Sequence, residues 1–205
     1  MSMSPTRLVL ASNNAGKLVE LQALFAPLGV KLVAQSSLNI PEAEEPFHTF
    51  VENALAKARH ASLYSGLPAI ADDAGLCVDA FGGLPGVQTA FYCTQFGYPK
   101  SDDNNRKALL EQMVGVTQRR AALVSTLVAV RSPQDPEPLI ATGRAVGEIT
   151  TEPLGDKGFG FDPVMWIPSM GKTFAQMPED EKNALSHRGQ AARAMLELMR
   201  TRWFA

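Results

Sequence analysis

The 205-residue chain has the hydrophobic and charged content of an ordinary globular protein and is long enough for one substantial core. Its formal net charge of −2 provides no basic excess, which argues against nucleic acid and acidic membrane surfaces as partners. We find no apolar run of membrane-spanning length and no signal-peptide pattern, and the two cysteines suit a reducing compartment, so we expect a cytoplasmic protein.

Strands and helices are predicted to alternate in the first part of the chain. Short apolar runs predict strands at residues 8–11, 30–34, 69–71 and 76–80, the last two joined or paired across a turn at Ala74-Gly75. An Asn-rich turn after the first strand is expected to open a helix. A longer helix is predicted to carry Phe47 and Phe50 on its apolar face and to end at Gly66.

Strands are predicted to pair with each other later in the chain. Asp102 or Asp103 is expected to cap a helix that runs to about Val114. The remaining elements are predicted as hairpin strands at 121–130 and 139–149, a short strand at 164–167, an acidic turn at 178–182 and a helix from Ser186 to about Arg200. This order predicts an α/β protein with a mixed sheet.

The first strand is connected to the first helix by a polar turn, Ser12-Asn13-Asn14-Ala15-Gly16-Lys17. Such a turn exposes backbone N–H groups at a helix N-terminus, where phosphate is favoured. It is not a Walker A loop, because the first glycine is absent and Leu18 stands where a hydroxyl would bind magnesium. The alternative is an ordinary turn with a solvated lysine.

Two adjacent carboxylates, Asp72 and Asp73, directly follow the apolar run 69–71. Ligands of open α/β sheets favour the edge where such strands end. Period-two alternation sends the two side chains to opposite faces, so their roles need not be equal. Mg²⁺ uses one or two carboxylates and completes its shell with water and phosphate. The alternative is a polar turn whose aspartates cap a helix or form an Asx turn.

Further polar residues lie before the second helix and on it. Three glutamates, Glu42, Glu44 and Glu45, precede it, and one of them is a candidate second metal ligand, with a solvated acidic loop as the alternative. Asn53 and Lys57 share a helix face at i,i+4 and are candidates for phosphate contact. A solvated polar stripe would explain the same spacing.

A third group of candidates lies near the end of the chain. Ser186 is a predicted N-cap that places His187 and Arg188 in the first turn, where cations oppose the helix dipole unless an anionic or electron-rich ligand compensates. A structural histidine is the alternative. Phe159 and Phe161 flank Gly160 and offer a ring for base stacking, with core packing as the alternative for at least one of them.

Six segments occur in a specific order, namely SNNAGK, FVENALAKARHA, AIADDAGL, GGLPG, GFGFDP and EKNALSHRGQA. Together they resemble the inosine triphosphate pyrophosphatase (dITP/XTP pyrophosphatase) family over residues 8–199. The resemblance implies one domain over residues 1–205, an elongated mixed β-sheet flanked by helices, and two lobes with the active site in the cleft between them. It also implies a homodimer that hydrolyses ITP, dITP and XTP to the monophosphate and pyrophosphate with Mg²⁺, for which Mn²⁺ can substitute.

The same resemblance implies roles for individual residues. Asp73 corresponds to the proton acceptor and a metal ligand, and Glu45 to a second metal ligand. Substrate contacts are implied for Ser12, Asn13, Asn14, Ala15, Gly16, Lys17, Lys57, Ala74, Phe159, Gly160, Phe161, Asp162, Lys182, His187 and Arg188. The implied mechanism is attack of an Asp73-oriented water on the α-phosphorus. A donor from Arg188 or the nearby backbone is expected to satisfy the 6-oxo group of the base.

The chain departs from the family pattern at two positions. Ala74 stands where many members have serine, and Phe91 stands where many have arginine. Both changes bear on substrate affinity and selectivity more than on the bond that is cut.

Two alternative functions remain open from the sequence. One is a Maf-like pyrophosphatase for modified pyrimidine nucleotides, against which the Ser-His-Arg and Phe-Gly-Phe-Asp segments argue. The other is a catalytically weakened nucleotide-binding protein, against which the joint presence of Asp73, Glu45 and Lys17 argues.

Overall fold

The structure, a computed structural model, describes residues 7–26 and 29–204 and contains a mixed β-sheet. Within that part of the chain the strands are β1 (Arg7–Leu10), β2 (Lys31–Ala34), β3 (Ala69–Val78), β4 (Arg120–Val130), β5 (Leu139–Ile149), β6 (Met165–Ile167) and β7 (Lys172–Thr173). Their order across the sheet is β2-β1-β3-β4-β5-β6-β7. β1 pairs in parallel with β2 and β3, whereas β6 pairs antiparallel with β5 and β7. The predicted α/β class with a mixed sheet is confirmed.

The first three helices begin after side chains that cap them. Their bounds are α1 (Ala15–Phe25), α2 (Phe50–Ser65), α3 (Asp102–Gln112), α4 (Glu179–Leu185) and α5 (His187–Arg202). The expected aspartate cap of α3 is wrong, because the hydroxyl of Ser101 accepts from the Asn104 N–H at 3.1 Å. Phe47 likewise lies before α2, whose N-cap is Thr49. Across the described ranges, every helix is too short or too polar to cross a membrane.

The strand that carries the acid pair is continuous. β3 runs from Ala69 to Val78, so the predicted turn at Ala74-Gly75 is wrong. Most of its residues are buried, and packing of both faces outweighs the weak turn preference of Ala-Gly. In β3, Ala69 and Ile70 lie in register with Val9 and Leu10 of β1, so β1 ends before β3 continues into its two aspartates.

The end of the chain contains one more helix than predicted. Residues 178–182 were expected to form an acidic turn, but α4 begins at Glu179. Three acidic residues in its first turn favour a helix through the helix dipole. α5 begins at His187, which confirms the start expected after Ser186.

The chain divides into two compact units, each with its own core. Unit 1 comprises the described residues of Met1–Asp73, Ser125–Gly143 and Arg188–Ala205, and unit 2 comprises Ala74–Val124 and Arg144–His187. In unit 1, α1 packs against β2 and α2 packs against β1. The unit 2 core includes Leu109 of α3 and Phe161.

Candidate active site

The turn between β1 and α1 is held in one conformation by its own side chains. The Ala11 N–H donates to the Ile70 carbonyl at 2.8 Å, which ties the start of the turn to β3. Ser12 Oγ accepts from the Asn14 N–H at 3.1 Å, and Asn14 Oδ1 accepts from the Lys17 N–H at 3.1 Å. This confirms the predicted strand-turn-helix segment and places the positive end of the helix dipole of α1 at this turn.

The outer side of the turn is fixed by a contact from the acidic loop that precedes α2. Asn13 Nδ2 donates to Glu42 Oε1 at 2.8 Å, and Gln35 Nε2 donates to Asn13 Oδ1 at 3.2 Å. The side chain of Asn13 is therefore hydrogen-bonded to other residues of unit 1. The predicted role of the turn in phosphate binding stays a prediction.

Asp72 is the centre of a buried network of charges. Its Oδ1 accepts from the Ser125 hydroxyl at 2.6 Å, and its Oδ2 lies 3.0 Å from Lys17 Nζ and 3.1 Å from Arg188 Nε. Arg188 also contacts Glu20 Oε2 through its NH1 at 2.6 Å. Lys17 and Arg188 thus neutralise the carboxylates of Asp72 and Glu20. The side chain of Asp72 is 0% exposed.

The protonation states follow from this arrangement. Burial raises the pKa of Asp72, but Lys17 and Arg188 outweigh it and hold that pKa well below its ordinary value. Burial also lowers the pKa of Lys17, although Asp72 opposes the shift. Asp72 is therefore an anchor that is ionised at neutral pH, which suits it to position Lys17 rather than to exchange protons.

Glu20 and Ser125 were missed by sequence reasoning. Glu20 follows Lys17 by three residues, so the helical spacing that places both on one face of α1 was a usable signal. Ser125 is a polar residue inside the apolar run that forms β4, and it is fully buried. A buried hydroxyl of this kind requires a partner, which Asp72 supplies.

Asp73 has different partners from its neighbour, as the period-two alternation predicts. Lys57 Nζ donates to Asp73 Oδ1 at 2.7 Å, to Glu45 Oε2 at 2.8 Å and to the Asp72 carbonyl at 3.2 Å. An ammonium has three protons, and these three acceptors account for them. The alternative of a solvated stripe on α2 is therefore wrong for Lys57, which joins the acid pair of Asp73 and Glu45.

The residues of this acid pair fit a hard cation such as Mg²⁺. Burial raises the pKa of Asp73 to about 6, with Lys57 opposing the shift and Glu45 adding to it. Asp73 Oδ2 is buried and has no hydrogen-bond partner among the residues that the structure describes. Those residues include no group of three or more His, Cys, Asp or Glu side chains arranged to hold a metal. Two carboxylates still suffice when water and phosphate complete the shell of Mg²⁺.

Several candidates of unit 2 lie in or contact the loop of residues 158–162. Asp162 Oδ2 accepts from the Phe159 N–H at 2.9 Å and from Lys182 Nζ at 2.8 Å. Lys182 Nζ also lies 5.1 Å from the centroid of the Phe159 ring. Phe161 packs in the unit 2 core, so the alternative of core packing holds for this ring. Phe159 is half-buried.

The remaining candidates are placed as follows. His187 is buried at the start of α5, and Ala74 is half-buried on β3. Phe91 is exposed and its ring lies 3.9 Å from Lys100 Nζ, so a cation contacts the ring at this departure from the family pattern.

These features define an α/β protein in which a strand-to-helix turn and a buried ionised anchor lie beside an acid pair suited to a divalent cation. The model of the Ham1 family matches residues 8–198, and the chain belongs to that family. It is 75% identical over 197 residues to a dITP/XTP pyrophosphatase of Albidiferax ferrireducens, covering 96% of this chain and 99% of the relative. It is 73% identical to a dITP/XTP pyrophosphatase of Paracidovorax citrulli, covering 97% and 100%. A solved Ham1 protein from Coxiella burnetii matches with a TM-score of 0.87 and 40% identity, covering 95% of this chain and 98% of the other.

Proposed function

We propose that this protein hydrolyses non-standard purine nucleoside triphosphates, dITP and XTP together with ITP, to the monophosphate and pyrophosphate. The relatives with this activity in their names match the chain over nearly its whole length. The observation that carries the proposal is that Asp72 and Asp73, neighbours on β3, have different partners and different pKa values. Asp72 is locked in an ionised network with Lys17, whereas Asp73 keeps a buried oxygen that has no hydrogen-bond partner among the described residues, and burial raises its pKa to about 6.

Asp73 and Glu45 are the residues that would hold Mg²⁺, with Mn²⁺ as a substitute. The ion would supply positive charge against the triphosphate and make a bound water more acidic. Asp73 accepts a proton from the attacking water as the water oxygen forms a bond to the α-phosphorus. The bond from that phosphorus to the bridging oxygen breaks, and pyrophosphate leaves with the electron pair.

The cations of unit 1 support this step. Lys57 counteracts the effect of burial on Asp73 and so favours the carboxylate that accepts the proton. Lys17, held by Asp72 at the start of α1, stabilises negative charge on the phosphates together with the backbone N–H groups of residues 13, 15 and 16.

Recognition of the base is assigned to unit 2 on the strength of the family resemblance. Phe159 is proposed to stack on the purine, and Gly160, Asp162, Lys182 and His187 to line its polar edge. Arg188 has two of its nitrogens committed to Asp72 and Glu20, which supports a positioning role for it in unit 1. A homodimer and a cytoplasmic location complete the proposal.

A product assay tests the proposal directly. The purified chain is incubated with Mg²⁺ and dITP, XTP, ITP, dGTP, dATP or a modified pyrimidine triphosphate, and pyrophosphate and phosphate are measured separately. We expect pyrophosphate from dITP, XTP and ITP in clear preference to the others. Preference for the modified pyrimidine would favour the Maf-like alternative, and binding without turnover would favour the weakened nucleotide-binding protein.

Two variants connect that activity to this site. Asp73→Asn should abolish pyrophosphate release. Asp79→Asn makes the same chemical change just after β3, at a residue whose carboxylate pairs with Arg120, and should retain activity. Equal activity of both variants would place the chemistry elsewhere.

A further inference from the structure

One face of α3 holds the peptide groups of Gly160. The Gly160 N–H donates to Asp102 Oδ2 at 2.8 Å, and its carbonyl accepts from Arg106 NH1 at 2.6 Å. Arg106 follows Asp102 at i,i+4, so the two residues lie on the same side of the helix. Both polar backbone groups of a single loop residue are therefore bound by charged side chains.

The loop itself, residues 158–162, has little freedom to adjust. Gly158 and Gly160 have φ of +73° and +60°, in the left-handed region. A Cβ at Gly158 would lie 2.1 Å from Asp162 Oδ2, so only glycine fits there. Asp162 also accepts from the Phe159 N–H, which closes the loop on itself. The positions of Phe159 and Asp162 consequently depend on how Gly160 is held.

The contacts from α3 serve the loop rather than the helix. Ser101 already caps α3, and Ala108 and Leu109 anchor it in the unit 2 core. Asp102 is exposed, yet its carboxylate is directed to the Gly160 N–H. Removing this carboxylate leaves the cap and the apolar contacts of the helix unchanged.

We propose that Asp102 and Arg106 are positioning residues that set the selectivity for the purine base by fixing the loop 158–162. The proposal rests on the proposed function, in which this loop contacts the base. Neither side chain has to touch the substrate, because both act through Gly160. A recognition site must be held to about 0.5 Å for full discrimination, and two charge-assisted hydrogen bonds to one peptide provide that restraint.

Kinetics of paired variants test the consequence for selectivity. Asp102→Ala removes the acceptor, and Asp102→Asn retains one. Glu111→Ala is the control, because it removes a carboxylate of α3 that accepts from the Tyr98 hydroxyl at 3.0 Å. We expect Asp102→Ala and Arg106→Ala to raise KM for dITP and XTP about tenfold, with kcat within about twofold. The preference for dITP over dGTP should fall by a similar factor. Asp102→Asn should restore most of it, and Glu111→Ala should resemble the wild type.

Amide hydrogen exchange tests the restraint without reference to activity. The Gly160 amide should exchange faster in Asp102→Ala than in Glu111→Ala or the wild type, because its acceptor is lost. A wild type without activity on dITP and XTP would overturn the proposed function, and with it the selectivity role, even if exchange confirmed the restraint. An active wild type with unchanged selectivity in both Asp102→Ala and Arg106→Ala, or with equal kcat losses on every substrate, would overturn the positioning role alone. If Asp102→Ala fails to fold, the same criteria apply to Arg106→Ala and Asp102→Asn.

Discussion

Neutralising Asp72 should destabilise the protein strongly, because its buried carboxylate is the common partner of Lys17 and Arg188. Asp72→Asn preserves the shape of the side chain but leaves Lys17 and Arg188 without that charge. Removing one partner of a buried ion pair costs about 3–5 kcal/mol, and we expect the lower end, about 3 kcal/mol, since Glu20 still pairs with Arg188. At about 2–4 °C per kcal/mol for a chain of this size, Tm should fall by roughly 6–12 °C.

The same residue predicts a pH dependence of stability. The pKa of Asp72 in the folded state lies below its ordinary value of 3.8, so its contribution is fully present above that value. The contribution is lost progressively as the pH falls below about 4, because protons then bind the unfolded chain more readily than the folded one. Asp72→Asn should lack this part of the acid-induced loss of stability.

Urea unfolding and thermal melts, each at neutral and at acid pH, measure both effects. Glu197→Gln is the control, since it breaks an ion pair with Arg200 in which both side chains are more than half exposed, and should change stability by less than about 0.5 kcal/mol. A loss in Asp72→Asn that is no larger than the loss in this control would refute the view of Asp72 as a buried anchor.

Four further predictions concern catalysis. Asp73→Asn should fold normally and lose about 100-fold or more in kcat, and a variant that retains most of the rate at saturating magnesium would remove Asp73 from its role. EDTA should abolish activity, Mg²⁺ or Mn²⁺ should restore it and Ca²⁺ should restore little, because its coordination is longer and looser; full activity in excess EDTA would contradict the proposed metal site. Since the pKa of Asp73 is raised to about 6, kcat/KM at limiting magnesium should fall as the pH is lowered through that value, and saturating magnesium should shift the fall to lower pH; a flat profile across this range would count against Asp73 as the base. Arg188→Ala should lower kcat/KM for dITP and dATP to a similar extent because two of its nitrogens bind Asp72 and Glu20, whereas a collapse of the ratio between these two substrates would show that Arg188 reads the 6-oxo group.

Local pattern in the sequence was enough to predict the framework of the protein. Apolar runs and helical spacing located the strands β4 and β5 and the start of α5 within one or two residues. β4 is a mostly apolar run that is buried on both faces, and β5 buries every second residue. The period-two rule also predicted that Asp72 and Asp73 would have separate partners, which depends only on the geometry of a strand.

Only the tertiary structure decided which side chains of the site pair with each other. Glu20 and Arg188 are 168 residues apart, and Arg106 and Gly160 are 54 apart, so no local spacing encodes either contact. The continuity of β3 through Ala74-Gly75 is likewise set by burial of both faces of the strand, which overrides the turn preference of the dipeptide. Charges buried in a fold find their partners across the chain, because the cost of leaving them unpaired is a property of the assembled interior and not of the residues beside them in sequence.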